Sequence, residues 1–284
     1  MAMDEKSLGQ RLQAVRQQAG LTQQQLCQKA NLSFSTLTKI ERGAIKSPSI
    51  FTIQSIATAL GLSLDELVGQ TAGPQPGRQL GKTKSGASFV YFDMNGCLIH
   101  FYQEAFVQLA TDAGVTPDMV ETAFWHYNDE VCRGTMSLDD FNAALAQRLK
   151  MEKIVWQDYY LAAVEPITQM QELVVWASEH YKVGLLTNTM PGLLGTMRRD
   201  HQLPEVAYDA IVDSSEVGAI KPEARVYEIA RERAGVPASE ILLIDDSRVN
   251  LMAAEKLDWH VLWFDDSRPE ESAARARATL EPAD

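Results

Sequence analysis

The chain has 284 residues, 45% of them hydrophobic and 23% charged, with a formal net charge of −12. That length suits two average domains of roughly 100–200 residues, and the composition is that of an ordinary globular protein, which excludes a disordered or fibrous one. No apolar run reaches the roughly 18 residues of a bilayer span and the first ten residues lack a signal-peptide core, so a cytoplasmic protein without membrane partners is expected.

Cys27, Cys97 and Cys132 stand far apart with no paired spacing, which argues against a zinc site or a disulfide framework. The charge is uneven. Residues 1–70 hold seven basic and five acidic side chains, residues 71–90 three basic and no acidic ones, and residues 91–284 sixteen basic against thirty-three acidic. An acidic body carries a mildly basic head, which keeps nucleic acid open as a partner of the head alone.

From Leu8 to Gly69 the start and stop signals predict five short helices. Thr22 with Gln25 and Ser63 with Glu66 have capping-box spacing, and Gly20, Gly43 and Gly61 stand where helix ends need a left-handed residue. Leu8, Leu12, Val15, Leu26, Leu37, Ile40, Ile53, Ile56, Leu60 and Leu67 fall at helical spacing and supply one small all-α core. The segment "LTQQQLCQKANLSFSTLTKIERG" resembles the helix-turn-helix of the Cro/repressor family, and the resemblance continues through "PSIFTIQSIATALGLSLDELVG".

That resemblance implies a DNA-binding domain over residues 1–70 whose second helix of the pair enters the major groove. By position it makes Phe34, Ser35, Thr36 and Lys39 base readers and gives Gln23 a phosphate hydrogen bond. Arg16, Arg42 and Lys46 would neutralise phosphates of double-stranded DNA. Phe34 cannot make bidentate contacts, but it can pack on a thymine methyl. One such module buries too little surface for tight specific binding, so a homodimer on a two-fold site is expected. The weak charge leaves a second reading, a helical module for protein contacts.

Residues 71–87, within "GQTAGPQPGRQLGKTKSGAS", are rich in Gly, Pro and Gln without an acid, the composition of a linker. From Ser88 to residue 284 short apolar runs alternate with amphipathic helices: "SFVYFDM", "YKVGLLTN", "DAIVDS", "EILLIDD" and "HVLWF". Such runs predict parallel strands buried on both faces, with ligands beyond their carboxyl ends. The polar residues ending the runs are Asp93-Met94-Asn95-Gly96, Thr187-Asn188-Thr189 and Asp245-Asp246, with Lys221-Pro222 following the third. The tail "RPEESAARARATLEPAD" reads as a surface helix with solvated arginines.

Together these ends resemble the four motifs of the haloacid dehalogenase superfamily, and "GAIKPEARVYEIA" and "LLIDDSRVNLMAAEKLDW" are similar to its capped group of sugar phosphatases and epoxide hydrolase N-terminal domains. The resemblance implies a Rossmann-like α/β fold with a helical cap at about 100–165, acting on a small phosphorylated metabolite. It makes Asp93 the nucleophile. Asp93, the Asn95 carbonyl, Asp245 and Asp246 would hold Mg²⁺, with Asn188 and Asn250 supporting the site. Thr187 and Lys221 would bind phosphoryl oxygens.

The phosphatases of that family usually carry an aspartate two positions after the nucleophile, where this chain has Asn95, and an amide cannot serve as acid or base. A transcriptional regulator with a phosphohydrolase or metabolite-sensing domain is therefore expected. The alternative is a hydrolase, a phosphatase or a 2-haloacid dehalogenase, whose head serves protein contacts. Trp125, Tyr127, Trp156, Tyr159 and Tyr160 could line a cap pocket or form the cap core, and His100 and His126 are left unassigned, a lone histidine being more often a surface or satisfied structural residue.

Overall fold

The computed structural model describes residues 5–18, 21–45, 48–60 and 80–281, and the chain divides into two units, Met1–Pro76 and Gly77–Asp284. The first contains α1 (Glu5–Gln18), α2 (Gln23–Ala30), α3 (Phe34–Glu41) and α4 (Ile50–Leu60). The fifth predicted helix, with Ser63, Glu66 and Leu67, lies outside the described residues, as do Gly20, Gly61 and Lys46.

Thr22 and Gln25 form the expected capping box at the start of α2: Gln25 N donates to Thr22 Oγ1 at 3.2 Å and Thr22 N to Gln25 Oε1 at 2.8 Å. The turn to α3 is made by Asn31 in the left-handed region at φ 52° and by Ser33, whose hydroxyl accepts from Thr36 N at 3.1 Å. Asparagine tolerates that conformation better than other side chains. Leu12, Leu26, Leu37, Ile40, Ile53 and Ile56 close the core, with Leu8 and Leu60 packed partly against it.

In the second unit β1 (Phe89–Phe92), β2 (Lys182–Thr187), β3 (Ala210–Asp213), β4 (Ile241–Asp245) and β5 (His260–Trp263) form one parallel sheet in the order β3-β2-β1-β4-β5. Alternate residues feed two cores. Val90, Phe92, Val183, Leu185, Leu242 and Ile244 lie in one, and Phe89, Tyr91, Leu186, Val212, Ile241 and Leu243 in the other. Burial on both faces explains why the strands read as continuous apolar runs.

Between β1 and β2 the chain forms α5 (Gln103–Ala113), α6 (Pro117–Trp125), α7 (Asn128–Cys132), α8 (Leu138–Leu149) and α9 (Trp156–Ala162), then crosses back through α10 (Thr168–His180). The first five make the cap, knitted by aromatic contacts such as Phe124 on Trp156 at 4.7 Å between ring centres. The remaining helices are α11 (Leu193–Arg199), α12 (Ser214–Val217), α13 (Ala224–Ala234), α14 (Arg248–Glu255) and α15 (Pro269–Leu280). The unit is a Rossmann-like α/β fold with a helical cap.

Two details differ from the sequence reading. Residues 80–87 of the linker stretch are fixed on the second unit, since Gly81 N donates to His180 O at 3.0 Å and Thr83 and Ala87 are buried. The tail helix α15 buries Ala273, Ala276 and Leu280, and Tyr181 OH donates to Leu280 O. Its Arg277 stays exposed, as the sequence reading expects, and also lies 3.4 Å from the centre of the Trp176 ring, where a guanidinium gains from an aromatic face.

Candidate functional site

The carboxyl ends of the central strands bring four groups together. Asp93 follows β1 and is 6% exposed; Asp245 ends β4 and is fully buried; with Asp246, each offers an oxygen within 4.8 Å of the others. Lys221, from the loop after α12, places Nζ 2.8 Å from Asp93 Oδ1 and 2.6 Å from Asp245 Oδ2. That loop is held by Asn188, whose Oδ1 accepts from Lys221 N at 2.8 Å and whose Nδ2 donates to Lys221 O at 2.9 Å. Asn250 Nδ2 donates to Asp245 Oδ1 at 3.1 Å, and Ser247 N to the same oxygen at 2.8 Å.

Gly96 adopts φ +80°, and a Cβ there would stand 2.4 Å from Asp246 Oδ2. Only glycine lets the turn after the first strand approach that carboxylate. Thr187, at the end of β2, is fully buried and its hydroxyl has no hydrogen-bond partner among the described residues.

Three carboxyl groups here share one ammonium. Burial pushes the Asp93 carboxyl up to about 8, with Lys221 pulling against the rise and Asp245 and Asp246 adding to it. Burial, then Asp245, pushes Asp246 up to about 6. Burial alone would lower Lys221, but Asp245 and Asp93 outweigh it and hold the ammonium above the ordinary lysine range. Asp246 has no ion-pair partner among the described residues. Surplus negative charge on hard oxygen donors, beside an unpartnered hydroxyl, is what a small divalent cation and an oxyanion together would satisfy.

The cap closes over this cluster. Tyr160 of α9 donates its hydroxyl to Asn95 Oδ1 at 2.7 Å, Ser214 Oγ donates to the Cys132 carbonyl at 2.6 Å, and Arg133 pairs with Glu223 at 2.6 Å. Between cap and strand ends remains a cavity of about 10 Å³, lined among others by Asn95, Asn128, Cys132, Trp156, Tyr160 and Asn188. Of the five aromatic candidates, Trp156 and Tyr160 reach it. Trp125 is 43% exposed and stacks on Phe101, Tyr159 bonds Asp112, and Tyr127 packs edge-on against His126.

Neither His100 nor His126 belongs to the carboxylate group. Sequence reasoning missed Tyr102, Phe124 and Asn128, which also line the cavity. Periodicity marks Phe124 as buried without saying which buried face meets the strand ends, and neither Tyr102, which precedes α5, nor the polar Asn128 carries that signal.

In the first unit α3 exposes Ser35, Lys39 and, at 49%, Phe34, with Arg42 exposed just past its end. Thr36 is half-buried, its hydroxyl 2.7 Å from Ser33 Oγ. Two expected phosphate ligands are otherwise engaged. Arg16 is 7% exposed and bidentate to Glu41, Nε to Oε1 at 2.7 Å and Nη2 to Oε2 at 3.1 Å, with Nη1 on Leu21 O at 2.9 Å. Gln23 Nε2 donates to Glu41 Oε2 at 2.6 Å. A buried guanidinium needs a counter-charge and filled donors, and Glu41 recruits both side chains inward.

A family model of haloacid dehalogenase-like hydrolases matches residues 89–258, and a helix-turn-helix model matches residues 12–67. The immunity repressor protein of Bacillus phage phi105 is 45% identical over 64 residues, 22% of this chain and 44% of that protein. The chain spans less than half the length of each curated relative it matches. A HAD-like family hydrolase from Porphyromonas gingivalis superposes with a TM-score of 0.57 at 22% identity, over 67% of this chain and 98% of that one. A HAD family enzyme from Bacteroides thetaiotaomicron, solved with magnesium and inorganic phosphate, gives 0.55 at 18% identity, over 64% and 95%. At those identities the likeness is one of fold. With the family model covering most of the α/β unit and a helix-turn-helix domain preceding it, the chain belongs to the haloacid dehalogenase-like hydrolases.

Proposed function

We propose that the chain is a cytoplasmic DNA-binding transcriptional regulator, dimeric on its operator, whose α/β unit transfers or senses the phosphoryl group of a small metabolite with Mg²⁺. The observation that carries the reading is the convergence of Asp93, Asp245 and Asp246, the first two paired with Lys221, beside the unpartnered Thr187 hydroxyl. Asp93, the Asn95 carbonyl, Asp245 and Asp246 would hold the ion. When bound it supplies charge neutralisation to the phosphoryl oxygens.

The chain's own groups do the rest. Asp93 presents a carboxylate oxygen to phosphorus, and Lys221 and Thr187 donate to the other phosphoryl oxygens as charge spreads over them. Asn188 fixes the loop that carries Lys221, and Asn250 holds the Asp245 carboxylate in place. Asn95 can neither give nor take a proton, and general acid–base help is worth about 10²–10⁴-fold. A phosphoryl group on Asp93 should therefore break down slowly. A 2-haloacid dehalogenase reading has less support, since Asp245 beside Asp246 makes better sense as a metal site and that reaction needs no metal.

The test pairs two measurements. With Mg²⁺ the chain should turn over an aryl phosphate and lose that on Asp93→Asn; metal-independent halide release from a 2-haloacid would replace the reading. Mobility shifts on genomic fragments should show salt-sensitive retention, with Lys39→Ala altering site preference and Arg42→Ala weakening all sites about equally. No retention of any fragment would leave the head a protein-contact module.

A further inference from the structure

The space where a leaving group would sit contains no group fitted to protonate it. Among the described residues lining the cavity beside Asn95 there is no carboxyl, imidazole or ammonium. Two phenols stand on its walls, Tyr102 and Tyr160, and burial pushes both above the ordinary tyrosine range, which makes them poor acids; Tyr160 OH is also committed, donating to Asn95 Oδ1 at 2.7 Å, with the next acceptor, Met197 Sδ, at 3.6 Å. What the walls do offer is neutral donors. With Oδ1 occupied by Tyr160, Asn95 has its Nδ2 left to give. Asn128, 8% exposed, holds its Nδ2 in no closer contact than 3.5 Å, to Asp129 Oδ1.

Resting on the phosphoryl-transfer reading above, we infer that the donor is a small mixed anhydride, an acyl phosphate, rather than a phosphate ester. An ester departs as an alkoxide, a strong base that needs a proton from the site. An acyl group departs as a carboxylate, which needs none and accepts amide hydrogen bonds as its charge develops. An Asp93 oxygen bonds to phosphorus as the bond from phosphorus to the acyl oxygen breaks, and the carboxylate leaves with the electron pair; no proton moves.

Hydrolysis of the product requires water to attack phosphorus and release the Asp93 carboxylate, its proton passing to solvent or phosphate. Position 95 offers no base to take that proton, so phosphorylated Asp93 accumulates. The cavity of about 10 Å³ is near the lower limit for one water, which requires a small leaving group and some lifting of the cap for it to enter.

The experiment mixes the full chain and Mg²⁺ with acetyl phosphate, nitrophenyl phosphate and glycerol phosphate, following product release and intact mass. Acetyl phosphate should react at least ~10²-fold faster than glycerol phosphate, the factor a missing general acid costs. One phosphoryl group should appear on the wild type and none on Asp93→Asn. Asn95→Asp should raise the glycerol phosphate rate by about 10²-fold and speed the loss of the phosphoryl group from Asp93. An Asp93-dependent glycerol phosphate rate within about tenfold of the acetyl phosphate rate would overturn the substrate class and leave the phosphoryl-transfer reading standing. No Asp93-dependent reaction with any of the three donors overturns both.

Discussion

Truncating Glu41 should destabilise the helix-turn-helix unit without removing any side chain from the exposed face of α3. Its carboxylate accepts from Arg16 Nε, Arg16 Nη2 and Gln23 Nε2, and the side chains of Arg16 and Glu41 are 9% and 3% exposed. In Glu41→Ala the guanidinium stays buried without a counter-charge, a loss of about 3–5 kcal/mol. A domain holds roughly 5–15 kcal/mol in total, and one this small sits near the lower end. At about 4–8 °C per kcal/mol for 60–100 residues, even the smaller loss lowers the midpoint by more than ~10 °C. All five tryptophans lie in the second unit, so helical circular dichroism lost on heating before any change in tryptophan emission reports the first unit alone. A midpoint shift under about 4 °C would refute the reasoning. Replacing the pair together, Arg16→Met with Glu41→Leu, should recover most of the loss, because an apolar pair avoids the desolvation that offsets a buried bridge.

Two further outcomes concern the carboxylate cluster. Gly96→Ala would drive a Cβ to within 2.4 Å of Asp246 Oδ2 from a backbone at φ +80°, so it should weaken Mg²⁺-dependent stabilisation about tenfold and cost about 1–3 kcal/mol; unchanged Mg²⁺ titrations would count against the proposed ligand set. Asp93 at about 8 and Asp246 at about 6 bind more protons folded than unfolded, so without metal their contribution to stability is full at acid pH and is lost as pH rises through those values. Since the cation must displace those protons, its stabilising effect should grow over the same window. Melting with and without Mg²⁺ at pH values on either side checks the sign, and equal Mg²⁺ shifts at both would contradict it.

The strands and their polar ends were legible because a doubly buried parallel strand is a short apolar run, and the residue ending it is where the chain can meet a ligand. Asp93, Thr187 and Asp245 follow from that rule directly. The capping box at Thr22 was legible for a similarly local reason: its partner is three residues away. What stayed hidden depends on sequence separation. Glu41 meets Arg16 from 25 residues away and Tyr160 meets Asn95 from 65, and neither periodicity nor composition names a partner at that range. A surface-cation reading of Arg16 failed for this reason. Lys39 and Arg42, with no such partner among the described residues, remain exposed.

The amide at position 95 gains a physical rationale once the cap is in view. Three carboxyl groups already crowd one ammonium, and burial holds Asp93 and Asp246 well above ordinary carboxyl values. A fourth carboxylate at position 95 would add repulsion to a cluster short of positive charge, and it would do so under a cap that leaves almost no room for water. Asparagine keeps the acceptor that Tyr160 needs and adds no charge. The contact between α9 and the strand ends then rests on a hydrogen bond to a neutral amide, whereas an aspartate there would set a further negative charge beside the nucleophile. What the substitution gives up is proton transfer, and the chemistry that tolerates this loss best has a leaving group that departs as a stable anion.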